Sequence, residues 1–444
     1  MLVARRAHRA DARTGLPPSL PLPAAAQTAL LSARPFEYLE RARERCGPRF
    51  TVRALAHPPL VFLADPDDAR AVLGGAPDVL APGEGGRAIV PIVGERSFML
   101  ADGDAHRRGR ALLARLYTAE ATAHHRDAVR ALAEREVASW PTNAPLALHP
   151  RLRALTLRVM LATLLGPDLD ARAPELHARL LAMLSIAEGV LLSLPPLRRV
   201  PGQRGRWRRF LRERAAVDAL LQRLIAERRR AGGPGDDGLG ALLAARGEDG
   251  APLPTEYVRD SLMSLILAGH ETTSAELAWT FQLLAHHPAA QGALAEELAA
   301  DAGGARLTAT IQETLRHRPV FVFAIPRAVK RPVEVGGWTH LPPAHLLVCV
   351  YLLHHDPRLF PQPQRFRPER FLGAEPDGAA WLPWGGGRKR CLGWRLAFLE
   401  LETIVAAALA RFAIEPAAAA PERARWRSVI VTPHRGCRVV LRRG

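Results

Sequence analysis

Residues 255–286, TEYVRDSLMSLILAGHETTSAELAWTFQLLAH, read as one helix. Thr255 stands at its N-cap, and by helical rise the segment spans roughly 45 Å. So long an apolar helix needs a large core around it, which a chain of 444 residues can build. At its middle, LILAGHETTSAEL sets Gly269 and Glu271 into apolar surroundings, although glycine disfavours helix and a buried carboxylate needs a partner. A zinc-protease HExxH reading fails, because Ser274 stands where the second histidine belongs. Two readings stay open: Thr272 bonds back to the Ala268 carbonyl while Glu271 faces water, or the patch serves chemistry.

Elsewhere the pattern is mainly helical, with strands near each end. PFEYLERARERCG reads as a short helix, and FTVRAL and PLVFLA as a strand pair turning at AHP. From Ala101 to about Arg230 the apolar spacing is helical, broken at SWPTNAP and SLPPLRRVPGQRG. Residues 231–254 read as a loop joining two helices. ETLRHRP places Glu313 and Arg316 one helical turn apart, and FVFAIPRAV and PVEVGG read as short strands. HHDPRLFPQPQRFRPERF follows, and then PWGGGRKRCLGWRLA, in which Cys391 lies among three glycines and several cations.

The formal net charge is +17, from 61 basic and 44 acidic side chains, and Lys330 and Lys389 are the only lysines. Such an excess attracts acidic partners, although a codon bias toward arginine would also enrich that residue. RRVPGQRGRWRRFLRER interleaves aromatics with arginines, so a basic protein binding nucleic acid or a membrane surface is a rival function class. Against it, Trp207 and Phe210 also fit a helix with one buried face, and no nucleic-acid motif is present. Cys46, Cys349, Cys391 and Cys437 are too widely spaced for a CxxC metal site or a disulfide framework. With no signal peptide and no apolar run of about 18 residues, the expected location is the cytoplasm, without an integral membrane segment.

Five stretches, DGDAHRRGRALL, AGHETT, ETLR, PERF and WGGGRKRCLG, occur in the order of the cytochrome P450 family, which the chain resembles from about Pro35 to its C-terminus. The resemblance implies a mainly α fold with small β-sheets, in which haem b lies between a long distal helix and a proximal cysteine loop and helix. Residues 1–34 are then a Pro/Arg-rich lead-in and 35–444 a single haem domain. Cys391 resembles the proximal iron ligand, whose thiolate favours O–O cleavage. The three glycines would let the backbone turn under the porphyrin, and the following helix would place Cys391 at its N-terminus, where N–H groups stabilise a thiolate.

By the same resemblance, His106, Arg110 and Arg327 are propionate partners. Lys389 replaces the usual arginine or histidine with a point charge. Trp384 stands where phenylalanine is usual and bears on the hydrogen bonding around sulfur. Gly393 belongs to the same cofactor-binding loop. Ala268 and Gly269 would leave room for dioxygen, while Glu271 and Thr272 resemble the acid and alcohol that deliver protons to it. Glu313, Arg316 and Arg370 resemble a buried structural network. Ile89, Val90, Ile92, Leu265, Ala268, Val320, Phe321, Val322, Phe323 and Ala324 would line an apolar substrate pocket.

The function implied is a monooxygenase that hydroxylates or epoxidises a hydrophobic small molecule. A haem-thiolate enzyme of different outcome is the nearer alternative. Electrons would come indirectly from NAD(P)H through a separate acidic ferredoxin or flavodoxin-like donor, since no flavin or iron–sulfur segment is read in the chain. No nucleic-acid partner is expected, and the chain should be a monomer.

Overall fold

A computed structural model describes residues 13–443 apart from 170–172, 188–194, 233–234, 236, 301, 374–377 and 428. The helix that anchors it runs Thr255–His286, with Pro254 rather than Thr255 at the cap position. The Thr255 hydroxyl instead accepts from Arg229 Nη1 at 2.6 Å, so the charge of a neighbouring helix end takes the group the sequence assigns to capping. From Val258 to Ala285 most side chains are buried on every face, because helices and strands surround the segment.

Helix Leu148–Leu165 packs along it most closely. Gly269 permits that approach, since a Cβ there would lie 2.3 Å from Met160 Sδ. This glycine therefore owes its place to helix packing as well as to space beside the cavity. Helices Gln203–Arg230, Ala305–His317 and Trp394–Leu409 complete the shell. Trp207 stacks on Phe210 at 4.9 Å between ring centres, and Phe210 is buried, so these rings serve packing within the domain.

A five-stranded sheet lies at one side, in the order Arg49–Val52, Leu60–Leu63, His345–Val348, Arg327–Val329, Leu80–Ala81. Only the pairing of Leu60–Leu63 with His345–Val348 is parallel. The strand read from FVFAIPRAV is shorter than its sequence suggests: residues 319–326 are bends, and pairing begins at Arg327. Pro326 has no N–H to donate to a ladder, which fits that boundary. Within the loop read over 231–254, helix Gly238–Ala244 forms, with the Asp237 side chain accepting from Gly240 N. The strong Gly and Pro signals there mask a short apolar turn whose Leu239 and Leu242 are buried.

The stretch read as a lead-in, residues 1–34, lies outside the described residues as far as 12. Beyond that it packs onto the domain. Arg13–Thr14 pairs with Trp338–Thr339, and helix Ala24–Ala33 presents Gln27, whose Oε1 accepts from Tyr38 Oη at 2.9 Å and from Arg53 N at 3.0 Å.

Glu313 and Arg316 of helix Ala305–His317 are fully buried. Arg316 donates to both Glu313 oxygens at 2.7 and 2.8 Å, and to the carbonyls of His354, Pro363 and Arg365. Arg370, on the short turn Pro368–Phe371, reaches Glu313 Oε2 at 3.0 Å. Next to them His354 Nδ1 donates to the Arg316 carbonyl at 3.2 Å and Nε2 accepts from Leu382 N at 2.8 Å, which defines a neutral tautomer. Burial, then the Arg316 charge, lowers its pKa to about 3.

Removing one member of this buried ion pair leaves its partner uncompensated, so Arg316→Leu should cost about 3–5 kcal/mol in chemical denaturation. Folded His354 stays neutral while the unfolded imidazole titrates near about pH 6.5. The stability it contributes is therefore present above about 6.5 and is lost as pH falls toward its folded value. Wild-type unfolding should take up protons across that range, and His354→Gln should flatten the slope. An unchanged slope would show that His354 is already charged in the folded state.

Candidate functional site

The loop that carries Cys391 begins where His354 holds Leu382. Gly385 N then donates to Leu382 O at 3.0 Å, and Cys391 N closes the loop on Trp384 O at 2.8 Å. Gly385 and Gly387 have φ of +65° and +61°, which L-residues rarely adopt. The crowding at Gly387 comes from the protein itself, because a Cβ there would lie 2.1 Å from the Leu73 carbonyl oxygen.

The helix after the loop starts at Trp394 with Gly393 as its cap, so Cys391 lies two residues before the cap rather than opening the helix. The N–H that reaches its sulfur belongs to Gly393. Burial pushes the free thiol up, while this hydrogen bond and the charges of Arg110 and Arg390 pull it down. Trp384 lies half-buried with its ring 6.0 Å from that of Phe398.

Cys391 faces an apolar cavity of about 1340 Å³. The long helix crosses the cavity and contributes Leu265, Ala268, Gly269, Glu271 and Thr272 to its lining. His106, Arg110, Arg327 and Lys389 line the same space. His106 is buried, and its pKa falls to about 4, first by burial and then by the charges of Lys389, Arg110 and Arg327. Burial likewise lowers Arg327 to about 10 and Lys389 to about 8, with Asp102 opposing both shifts. Lys389 Nζ donates to the carbonyls of Met99 and Ala101 at 2.9 and 2.7 Å, Arg110 to that of Arg390, and Arg327 to that of Ile325. Neutral carbonyls hold these cations in place without cancelling their charge, so this edge of the cavity is built for an anion.

The profile of the cytochrome P450 family matches residues 15–439. The chain belongs to the cytochrome P450 family. A Mycobacterium tuberculosis relative named as cytochrome P450 135B1 is 32% identical over 96% of this chain and 92% of its own. Another from that organism, named as cytochrome P450 138, is 34% identical over 91% of each chain. Among solved structures, retinoic acid-bound cyanobacterial CYP120A1 superposes with a TM-score of 0.82 at 22% identity, covering 97% of this chain and 99% of the other. The cytochrome P450DA heme domain gives 0.83 at 20% identity, covering 98% of each. The fold is thus the mainly α P450 fold, and the protein is an enzyme of the monooxygenase class to which P450s belong. No helix among the described residues is long and apolar enough to cross a membrane.

The residues present fit the family's haem. A thiol and a cluster of cations face one cavity, as a metal ligand and propionate partners require. Of the residues read as pocket lining, all but Val322 line the cavity. Val322 is buried on the opposite side, where its carbonyl accepts from Tyr351 N at 3.2 Å and Cys349 Sγ at 3.6 Å. In a chain of bends, side-chain direction does not follow sequence adjacency.

Thr272 Oγ1 donates to the Ala268 carbonyl at 2.6 Å. Glu271 does not face water: Arg153 Nη2 of helix Leu148–Leu165 binds its Oε1 at 2.7 Å. Arg153 was not legible as a site residue, since 118 positions separate the partners and the chain is full of arginines. Tyr117, Glu276 and Glu400 also line the cavity unannounced. Tyr117 packs against Gly393, whose Cβ would lie 3.3 Å from its ring.

Arg153 and Glu271 side chains are 10% and 13% exposed, so their pairing should be measurable. A double-mutant cycle with Arg153→Leu and Glu271→Gln should give a coupling of roughly 1–3 kcal/mol in chemical denaturation. Additive losses would mean the pair does not form in solution.

Proposed function

We propose that this P450 activates dioxygen with electrons from a separate acidic donor and hydroxylates or epoxidises a hydrophobic small molecule. The observation that carries this reading is that Cys391 and the Ala268, Gly269, Glu271 and Thr272 patch of the long helix line one apolar cavity. Haem b, when bound, supplies the redox chemistry that no side chain of the chain can perform.

In this reading Cys391 ligates the iron, and His106, Arg110, Arg327 and Lys389 orient the cofactor through its propionates. Lys389 contributes a point charge, already located by two carbonyls, in place of a planar fork. Thr272 holds and moves a proton at Oγ1, which its bond to Ala268 O positions toward the helix. The apolar lining, which includes Phe98, Phe321, Phe323, Trp384 and Trp426, excludes water and favours apolar substrates without specifying a scaffold. Hydrophobic pockets discriminate by only about 1–3 kcal/mol per methylene.

Arg388, Arg390 and Arg395 are exposed beside the cysteine loop, with the latter two guanidinium groups over the Trp394 ring at 5.7 and 4.4 Å. This positive face suits an acidic ferredoxin or flavodoxin-like donor carrying electrons from NAD(P)H, and such rim charges act mainly on association rate.

Cys391→His should abolish the red-shifted Soret band of the reduced carbon monoxide complex, which reports thiolate ligation, while Cys46→Ser should keep it. Persistence of the band in the Cys391 variant would refute the ligand assignment. Thr272→Ala should retain haem and substrate binding while diverting electrons to peroxide, read as product formed per electron. Unaltered coupling would leave Thr272 with only its bond to Ala268. Reduction by an acidic ferredoxin should slow as salt rises, because rim charges are screened over about 8 Å at physiological ionic strength. Charge reversal at Arg395 should reproduce that slowing at low salt without changing the substrate-induced spectral shift.

A further inference from the structure

Glu276 lies in the cavity wall one helical turn after Thr272, on the same face of the long helix. Its side chain is buried, and neither carboxyl oxygen has a hydrogen-bond partner. The Thr273 hydroxyl, three residues earlier and also in the wall, is buried and unpartnered as well. Buried polar groups are almost always satisfied, so a carboxyl and a hydroxyl left open side by side point to a small molecule such as water between them. Burial alone moves Glu276 well above the usual carboxylate range, and no charged side chain contributes to that shift. An ionised carboxylate in this position would have no compensation, whereas a neutral acid fits.

Glu271 presents the opposite case. Arg153 Nη2 donates to its Oε1 at 2.7 Å, so this carboxyl is engaged across the helix pair with the neighbouring helix Leu148–Leu165. The residue that the motif offers as the acid is therefore committed elsewhere.

We propose that Glu276, rather than Glu271, is the internal acid that re-protonates Thr272. The inference rests on the oxygen-activating role proposed above for Thr272. Glu276 O–H passes its proton through one bridging water to Thr272 Oγ1 as Thr272 gives its own proton to dioxygen being reduced in the cavity. Two such proton deliveries accompany the two electrons from the separate donor, Thr272 ends each one unchanged, and the Glu276 carboxylate is re-protonated each time from bulk solvent, with cavity water as the relay. Glu276 acts through Thr272 and is a positioning residue for the proton.

Glu276→Gln keeps the size of the side chain, and Glu276→Leu removes the acid with no need of partners. Infrared difference spectra of wild-type protein against each variant at neutral pH should show the loss of a protonated carboxylic acid band. Both variants should retain the Soret bands and the substrate-induced shift, while product per electron falls by roughly tenfold or more and peroxide rises. Glu276→Asp should recover part of the coupling, and Glu271→Gln should reduce it less than Glu276→Gln. Absence of the carboxylic acid band, wild-type coupling in both Glu276 variants, or a greater loss in Glu271→Gln would each overturn the proposal. Absence of a Soret band in wild-type protein would refute the haem reading instead, and the infrared band reads independently of it.

Discussion

Arg316 is the residue on which the interior is hung. Its guanidinium is fully buried and is satisfied by one carboxylate and three backbone carbonyls drawn from separate segments. Because a buried charge tolerates almost no vacancy among its partners, those segments are held in one arrangement. Glu313 repeats the logic in the opposite sign, taking Arg316, Arg370 and the Arg367 N–H. His354 transmits the constraint, since one ring nitrogen binds the Arg316 carbonyl and the other binds Leu382 N at the start of the cysteine loop. The position of the sulfur thus follows from an ion pair with no chemical role.

The cavity is electrically lopsided. Arg110, Arg327 and Lys389, each tied to a carbonyl, stand at one edge beside a His106 that burial and their charges keep neutral, and Glu271, Glu276 and Glu400 stand along the long helix and the cysteine helix. Protonation divides those carboxyls further. Arg153 binds Glu271 between two helices, while burial drives Glu276 and Glu400 toward the neutral acid. Environment separates groups of one chemical type into different roles, as acid and base chemistry in one site requires.

Much of this was legible in the sequence, because the family motifs are local. The fold class, the cysteine loop, the span of the long helix and the partners of Glu313 lie in short stretches whose order is informative. What the sequence hid has a common cause. Arg153 meets Glu271 across two helices, the Leu73 carbonyl meets Gly387 across more than 300 positions, and Val322 turns away between neighbours that turn inward. Each depends on tertiary approach, which local spacing does not encode. Thr255 failed as a cap for the same reason, since an arginine from another helix claimed its hydroxyl. Glu276 was hidden differently: a glutamate in a helix is ordinarily a solvated residue, and only the packing around it makes it unusual.

The fit of Gly387 against the Leu73 carbonyl also bears on the order in which the protein can be made. Leu73 belongs to helix Pro66–Gly74, which Asp68 ties to Arg49 of the first sheet strand at 2.6 Å. The wall behind the cysteine is therefore built from the first and last fifths of the chain. During synthesis the early helix emerges long before residue 387 exists, and the loop cannot take its shape until the ribosome has released both. Closing so long a separation is entropically slow, which places cofactor capture among the last events of folding. A chain stalled before the cysteine loop would hold most of the helical core and the far wall of the cavity, and would lack the thiol that faces it.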